Sequence, residues 1–134
     1  MERAWVMILC DTNIFFELFR GNQAIIDELN DIGYDNLAIS DITIGEIYFG
    51  MRKKEEEQTR ELIRKFRRFH LTRDASKIFI EIMSDLSSRQ IGIPDALIAS
   101  VAKANSLKVF TLNITDFKQV DSLILYKPSR RLIN

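Results

Sequence analysis

The feature that most constrains the fold is an uninterrupted apolar run at residues 4–10, which ends at Asp11. This run is too short to cross a membrane, and it is typical of a strand that is buried on both faces of a parallel sheet. Asp11, Thr12 and Asn13 follow it directly and are residue types that cap helices. A buried strand that leads at once into a helix predicts an α/β fold.

The rest of the chain continues this alternation of apolar strands and amphipathic helices. Further strands are predicted at residues 37–40, 71–72, 108–112 and 123–126. Helices are predicted at residues 11–19, 25–32, 41–51, 54–69, 78–86 and 94–102. This order predicts a central parallel sheet of four or five strands flanked by helices. Residues 1–134 fit a single domain of this kind, because two cores would not fit in so short a chain.

Charge and cysteine content exclude several classes of protein. The 19 basic and 19 acidic residues cancel, which excludes a protein that binds polyanions over its whole surface. The charges are uneven, however, because residues 1–50 hold 2 basic and 9 acidic side chains, and residues 51–73 hold 9 and 4. The single cysteine, Cys10, can form neither an internal disulfide nor a thiolate metal cluster. We therefore expect a cytoplasmic protein without a membrane segment.

Four carboxylates fall where the predicted sheet would gather them at one edge. Asp11 follows the first strand, Asp116 lies just past the strand at residues 108–112, and Glu46 lies on the helix that follows the second strand. Asp95 lies in the first turn of the helix that Pro94 opens. Ligands of parallel sheets bind beyond the carboxyl ends of the strands. The four side chains could therefore converge in one crevice.

Each of these acids also has a purely structural interpretation. Asp11, Asp95 and Asp116 are all placed where a carboxylate stabilises a helix N-terminus. Glu46 closes the sequence Thr43-Ile44-Gly45-Glu46, which fits a capping box. A metal site differs from four separate caps because it requires the acids to lie together. Crowded carboxylates with only oxygen ligands favour Mg²⁺ or Mn²⁺, which can activate water for hydrolysis of a phosphodiester.

Four stretches of the chain resemble the successive motifs of PIN-domain ribonucleases, and in particular the VapC-type toxins of toxin-antitoxin pairs. These stretches are Leu9-Cys10-Asp11-Thr12-Asn13, residues 39–46 with Gly50, residues 94–99 and residues 110–117. The likeness runs from Met7 to about Val120 in the family's order and spacing. It implies a PIN-like fold and a metal-dependent endoribonuclease that cleaves RNA with Mg²⁺ or Mn²⁺, forms a homodimer and is silenced by a cognate antitoxin.

The resemblance also implies roles for individual residues. Asp11, Glu46, Asp95 and Asp116 would be the catalytic, metal-binding acids. Thr12 and Asn113 match polar positions beside that set, and Asn13 matches the end of the first motif. Leu112 departs from the family pattern, in which a basic residue is frequent before the asparagine, and Ile114-Thr115 replaces a commonly more polar pair. These departures bear on how RNA is held rather than on the metal.

Two basic groups are candidates for RNA contact. Arg52 and Lys53 follow the second motif, and four more basic residues lie at residues 64–68 on the predicted charged helix. Because glutamates are interleaved with them, an ordinary solvated helix surface explains the same pattern. The apolar stripe of this helix, formed by Leu62, Ile63, Phe66 and Phe69, is thin and predicts partial coverage by another chain.

Two other functions remain open from the sequence. A PIN nuclease could act in RNA processing or on DNA, and a PIN fold could persist as a non-catalytic binding module. The intact acidic quartet argues against the binding module. Nucleophilic catalysis has weak support, because Cys10 is expected to be buried and His70 to be solvated at the end of the charged helix.

Overall fold

A computed structural model describes residues 7–85 and 91–133, and within them four strands form one parallel sheet in the order β3-β2-β1-β4. The strands are β1 (Ile8–Cys10), β2 (Leu37–Ser40), β3 (Arg67–Phe69) and β4 (Lys108–Phe110). The α-helices are α1 (Thr12–Phe19), α2 (Gln23–Ile32), α3 (Asp41–Gly50), α4 (Glu56–Arg64), α5 (Arg73–Ser84), α6 (Ile93–Ala104) and α7 (Ile114–Phe117). Short 3₁₀ helices span Tyr34–Asn36 and Lys53–Glu55. The predicted α/β architecture is confirmed.

Strand β1 lies at the centre of the sheet, with Leu9 opposite Ala38 of β2 and Val109 of β4. Alternate residues of a strand point to opposite faces. Leu9 accordingly packs with α5 and α6, whereas Ile8 and Cys10 pack on the other face with α1 and α2. Because both faces are covered, all three residues of β1 are buried, and this explains the uninterrupted apolar run.

Polar residues at the strand ends begin the helices. Asp11 caps α1, Ser40 caps α3 and Thr72 caps α5, each through its side-chain oxygen. The hydroxyl of Ser40 accepts a hydrogen bond from the backbone N–H of Thr43 at 3.2 Å. The capping-box interpretation of Thr43 and Glu46 is therefore wrong, because α3 begins three residues earlier than that interpretation requires.

The charged segment is the main correction to the predicted elements. The helix predicted at residues 54–69 ends at Arg64, and Arg67–Phe69 instead forms β3, which pairs in parallel with β2. Backbone hydrogen bonds to β2 outweigh the helical charge pattern, and they cover what would otherwise be an open sheet edge. Phe66 anchors the turn, since its ring centroid lies 4.7 Å from that of Phe15 and 5.3 Å from that of Tyr34.

The apolar stripe of the charged segment is consequently covered by the chain itself. Ile63 is 9% exposed and Phe66 is 5% exposed, and both belong to the core under α1 and α2. The prediction that another chain covers this stripe is wrong for Ile63 and Phe66, whereas Leu62 is half-buried and lines a surface groove. The strand predicted at residues 71–72 is also wrong, because Thr72 is the N-cap of α5.

The C-terminal segment lies beside β4 without becoming a regular strand. Val109 donates a backbone hydrogen bond to Ile124 at 3.0 Å and accepts one from Tyr126 at 2.8 Å. These bonds form one isolated bridge, at Leu125, in place of the strand predicted at residues 123–126. Residues 4–6 of the first predicted strand and residue 86 lie outside the described residues. No helix in the described ranges combines the length and the apolar character that a membrane span requires.

Candidate metal centre

The site forms where the carboxyl ends of β1 and β4 meet. Asp11 follows β1 and Thr111 follows β4, and the backbone N–H of Asp11 donates to the carbonyl of Phe110 at 2.9 Å. The side chain of Asp11 is buried, at 3% exposure. The central strand pair thus places a carboxylate in a largely water-free position.

Asp11 is held by two hydrogen bonds. One carboxylate oxygen accepts from the backbone N–H of Thr12 at 2.7 Å, and the other accepts from the Thr111 hydroxyl at 2.7 Å. The pKa of Asp11 is raised to about 6, chiefly by burial; the hydrogen bonds from Thr111 and Thr12 oppose the rise, and the negative charges of Asp95 and Glu46 contribute to it. The environment therefore disfavours the charged form of a carboxylate at the centre of the site.

Glu46 reaches the same site from the middle of α3. Its Oε1 accepts a hydrogen bond from the Thr12 hydroxyl at 2.6 Å. Since the backbone N–H of that same threonine bonds Asp11, Thr12 connects the two carboxylates. The side chain of Glu46 therefore contacts another element of the site and makes no cap for its own helix.

Asp95 and Asp116 form the second half of the site. The amide of Asn113 donates to Asp95 Oδ2 at 3.0 Å and to Asp116 Oδ2 at 2.9 Å. Burial raises the pKa of Asp95; the bond from Asn113 lowers it, and the charges of Asp116 and Glu46 raise it. The charge of Asp95 thus acts on Asp11, and the charge of Glu46 acts on both, so the two hydrogen-bonded pairs of acids lie side by side and are called the acidic cluster below.

The cluster has no compensating positive charge in the described part of the chain. No described lysine or arginine forms an ion pair with any of the four acids, although many other acids of the protein do have such partners. Within residues 7–85 and 91–133, no three His, Cys, Asp or Glu side chains are arranged as a ready-formed metal site. The carboxylates are instead held by Thr12 and Asn113, as two neighbouring pairs.

The structure separates the capping and clustering interpretations residue by residue. Asp11 does both, because it caps α1 and also bonds Thr111. Asp95 and Asp116 lie in the first turns of α6 and α7, whose N-caps make no side-chain hydrogen bond. Their carboxylates bond the Asn113 side chain instead. Helix capping alone therefore does not account for this set of acids.

Sequence reasoning missed the hydroxyl residues that support the acids. Thr111 bonds Asp11, and Thr43 bonds Thr12 at 2.9 Å. Both are buried polar residues close to the ends of buried strands, and that position is the signal that could have identified them. Asn13 supports the neighbouring loop, since its side-chain oxygen accepts from the N–H of Leu112 at 3.4 Å.

The predicted basic residues lie outside this cluster. Arg52 and Lys53 are exposed, and the guanidinium of Arg52 pairs with Glu55 at 3.2 Å. Arg64 pairs with Glu61 in the same way on α4. These pairs agree with the interpretation of the charged segment as solvated helix surface.

His70 and Cys10, the other two candidate catalytic residues, lie outside the acidic cluster. His70 is an exposed side chain, as expected, and its Nδ1 lies 3.1 Å from a carboxylate oxygen of Asp41. Cys10 is fully buried, and this burial, with the nearby charge of Asp11, raises the pKa of its thiol. Neither residue forms part of a nucleophilic site.

An apolar groove of about 530 Å³ lies between α1, α3 and α4. Phe16 and Phe19 line it and are 37% and 45% exposed, which is unusual for phenylalanine. Phe16 lies one helical turn beyond Thr12 on α1, and Ile47, which follows Glu46 on α3, also lines the groove. Arg20, Arg52 and Glu55 also line the groove, and the two arginines pair with Glu17 and Glu55.

Comparison with known proteins places the fold in a family. Residues 8–123 match the PIN domain. The chain is 31% identical to Ribonuclease VapC10 of Mycobacterium tuberculosis over 124 residues, which cover 87% of this chain and 90% of that protein. Its fold is similar to that of a toxin-antitoxin complex from Klebsiella pneumoniae, with a TM-score of 0.76, 27% identity and coverage of 87% and 95% of the two chains.

A second solved structure agrees with this assignment. VapBC2 from Rickettsia felis, bound to a DNA fragment from its promoter, superposes with a TM-score of 0.77 and 26% identity, over 90% of this chain and 98% of that one. The matched residues, 8–123, span the four strands of the sheet. The chain belongs to the PIN-domain family.

Proposed function

We propose that this protein is a metal-dependent endoribonuclease that hydrolyses RNA phosphodiester bonds and acts as the toxin of a VapBC-type toxin-antitoxin pair. The observation that carries the proposal is the cluster of Asp11, Glu46, Asp95 and Asp116 at the carboxyl edge of the sheet, without a described counter-charge. The 31% identity of the chain to Ribonuclease VapC10 supports RNA as the substrate. A single PIN domain over residues 1–134 and a cytoplasmic location agree with this role.

The residues present fit a divalent metal. All the donors are carboxylate, amide or hydroxyl oxygens, which suit Mg²⁺ or Mn²⁺ better than softer ions. Asp11 is buried with a raised pKa, so a cation beside it would relieve both the desolvation of its charge and the repulsion from Asp95 and Glu46. The cluster therefore has the chemistry of a cation site.

We assign roles to the acids on this basis. Asp11, Glu46 and Asp95 would hold the first ion, and Asp116 would contribute to it or to a weaker second ion. When bound, one or two such ions would supply an activated water and charge stabilisation for the leaving oxygen of a phosphodiester. Asn113 would orient Asp95 and Asp116, and Thr12 would orient Glu46, while Asn13 would hold the loop beside them. The expected products carry 5′-phosphate and 3′-hydroxyl ends.

Substrate binding would use the exposed basic residues next to the groove. Arg52 and Lys53 follow α3, the helix that carries Glu46, and they are the nearest basic pair to it along the chain. Their contribution would be to hold RNA phosphates, which are recognised chiefly by charge. Because Leu112 and Ile114 are apolar, the loop after β4 offers less to an RNA chain.

The antitoxin would occupy the groove lined by Phe16 and Phe19. Structures that this chain resembles are complexes of a toxin with an antitoxin. Two exposed phenylalanines in this groove fit a partner segment with an apolar face. We also propose a homodimer, which exposed apolar residues elsewhere, such as Phe49 at 94% exposure, would support.

Cleavage of a labelled RNA, with and without metal, tests the enzymatic proposal. Wild-type protein should cleave in Mg²⁺ or Mn²⁺, stop in excess EDTA and recover when metal is restored. The Asp95→Asn variant, purified in the same way, controls for contaminating ribonuclease. Undiminished cleavage in EDTA, or equal cleavage by the variant, would overturn the metal mechanism.

A further inference from the structure

We propose that Ser40 and Thr43 are positioning residues that orient the Glu46 carboxylate through the hydroxyl of Thr12. Their effect on metal binding rests on the function proposed above. The evidence is a continuous row of three hydroxyl groups that ends on Glu46 and runs through the interior of the protein. Neither Ser40 nor Thr43 touches the cluster of acids directly.

The distances define the row. The Ser40 hydroxyl donates to Thr43 Oγ1 at 3.3 Å, the Oγ atoms of Thr43 and Thr12 lie 2.9 Å apart, and Thr12 donates to Glu46 Oε1 at 2.6 Å. The three residues come from the end of β2, from α3 and from the start of α1. One strand end and the first turns of two helices are therefore tied to one carboxylate oxygen.

The direction of every bond in the row follows from its last member. An ionised carboxylate can only accept, so Thr12 must give its single hydroxyl hydrogen to Glu46. Thr43 must then donate to Thr12, and Ser40 must donate to Thr43. Hydrogen bonds that point the same way along a chain polarise and strengthen one another. We expect this strengthening in the last bond, from Thr12 to Glu46, which is 2.6 Å long.

The three hydroxyl groups are buried, so their hydrogen bonds depend on these side chains and not on water. Ser40 and Thr43 are 0% exposed and Thr12 is 6% exposed, so water is poorly placed to replace a missing hydroxyl. Ser40 also accepts the backbone N–H of Thr43 and so caps α3. The start of the helix and the orientation of its Glu46 are therefore set by the same two side chains.

A role in positioning has a consequence for metal binding. Thr12 occupies one lone pair of Oε1, and no described residue donates a hydrogen bond to Oε2. Glu46 is thus held at one oxygen and keeps acceptor capacity for a cation. Residues that hold a metal ligand in this way typically change metal affinity by about 10-fold to 100-fold when their bond is lost.

The test compares Thr43→Val, which keeps the shape and removes the hydroxyl, with Thr43→Ser, which keeps the hydroxyl. Melting curves over a Mn²⁺ titration give the concentration that produces half of the metal-dependent stabilisation. We expect this concentration to rise about 10-fold in Thr43→Val and to stay within about twofold of wild type in Thr43→Ser. RNA cleavage should need correspondingly more Mn²⁺ in the valine variant.

Ser100→Ala is the matched control, because Ser100 is also a fully buried hydroxyl and donates to the carbonyl of Ala96 at 2.6 Å within α6. It should alter melting without metal and leave the Mn²⁺ midpoint unchanged. In a Glu46→Gln background, Thr43→Val should cause no further rise in that midpoint, because its effect passes through Glu46. A normal midpoint in Thr43→Val, or an equal rise in both backgrounds, would overturn the proposal.

Failure of the proposed function would look different. A wild-type protein that neither cleaves RNA nor responds to Mn²⁺ would overturn the metal site and, with it, any role of the row in binding metal. A wild-type protein that responds to Mn²⁺ while Thr43→Val responds identically would overturn the positioning role alone.

Discussion

Two buried carboxylates in this protein, Glu28 and Asp11, have opposite environments. Glu28 is 1% exposed and Asp11 is 3% exposed. Burial raises the pKa of Glu28, but hydrogen bonds from Tyr126 and Ser129 and the charge of Arg130 outweigh that rise and lower it overall. The pKa of Asp11 is raised to about 6, because burial and the charges of nearby acids outweigh the hydrogen bonds that lower it.

The difference lies in which partners the chain supplies. Glu28 accepts from the backbone N–H of Ser129 at 2.9 Å, from its hydroxyl at 3.0 Å and from the hydroxyl of Tyr126, and Arg130 Nε lies 3.2 Å away. The chain thus provides the charge that Glu28 needs. Asp11 receives two hydrogen bonds and lies among other acids, so its compensating charge must come from outside the described chain. A buried acid of the first kind stabilises the fold, and one of the second kind indicates a site.

The strongest test of this contrast is Asp11→Asn. If Asp11 holds the ion that activates water, its loss should reduce RNA cleavage on the order of a thousandfold. The variant should fold normally, because it removes a buried charge whose ionisation is disfavoured. Initial rates with one RNA substrate, in saturating Mn²⁺, measure the effect. Cleavage within threefold of wild type would place the chemistry elsewhere.

At Glu28 we expect the opposite result, a loss of stability without a loss of activity. Replacing Glu28 by alanine leaves Tyr126 and Ser129 without their acceptor and removes the buried partner of Arg130, which should lower the free energy of unfolding by about 3 kcal/mol. Urea unfolding measures the loss. The folded variant should cleave RNA at the wild-type rate.

Asp31→Ala is the matched control for Glu28→Ala. Asp31 also pairs with Arg130, but its side chain is 62% exposed, so its removal should cost less than about 1 kcal/mol. Similar losses in the two variants would show that burial is not what distinguishes Glu28.

The positions and partners of the two carboxylates also differ in how well they can be predicted from the sequence. Asp11 ends an apolar strand and begins a helix, and both features are local, so its place at the sheet edge follows from the sequence. Glu28 lies in a helix whose apolar neighbours fix its face, but its partner Ser129 lies 101 residues further along the chain. No local pattern reveals a contact of that range.

Strand β3 shows the same limit for secondary structure. Its sequence, Arg67–Phe69, continues a charged helical pattern and is partly exposed, so nothing local distinguishes it from helix surface. Pairing with β2 decides its conformation, and that pairing is tertiary. Sequence reasoning therefore placed Asp11 and Asp116 after strand ends, where the structure has them, and missed the hydroxyls of Thr43 and Thr111, whose partners come from other segments.

The pH dependence of stability should carry opposite signs for the two acids. The pKa of Asp11 is higher in the folded protein than the ordinary 3.8, so the folded state binds more protons and gains stability as pH falls through 6. The pKa of Glu28 is lowered, so its contribution is present above its ordinary 4.5 and is lost as pH falls further.

Comparison of wild type with Asp11→Asn in EDTA isolates the first effect. The difference between their free energies of unfolding should shrink by about 2 kcal/mol as pH falls from about 7 to about 4.5. Urea unfolding at a series of pH values gives this difference. A difference that stays constant with pH would contradict the raised pKa of Asp11.

The smallest expected change in stability is at Asp95. Its sign distinguishes a helix cap from a member of the acidic cluster. Asparagine caps helices about as well as aspartate, so a purely structural Asp95 predicts little change in Asp95→Asn. A member of a repelling cluster predicts that the metal-free variant gains about 1 kcal/mol, since one of several crowded negative charges is gone. Its cleavage should nevertheless collapse, because an amide is a weak ligand, and it should gain less stability from Mn²⁺ than wild type does. Paired melting curves with and without Mn²⁺ measure both effects, and an Asp95→Asn protein that is less stable than wild type without metal would show that the four acids do not repel one another.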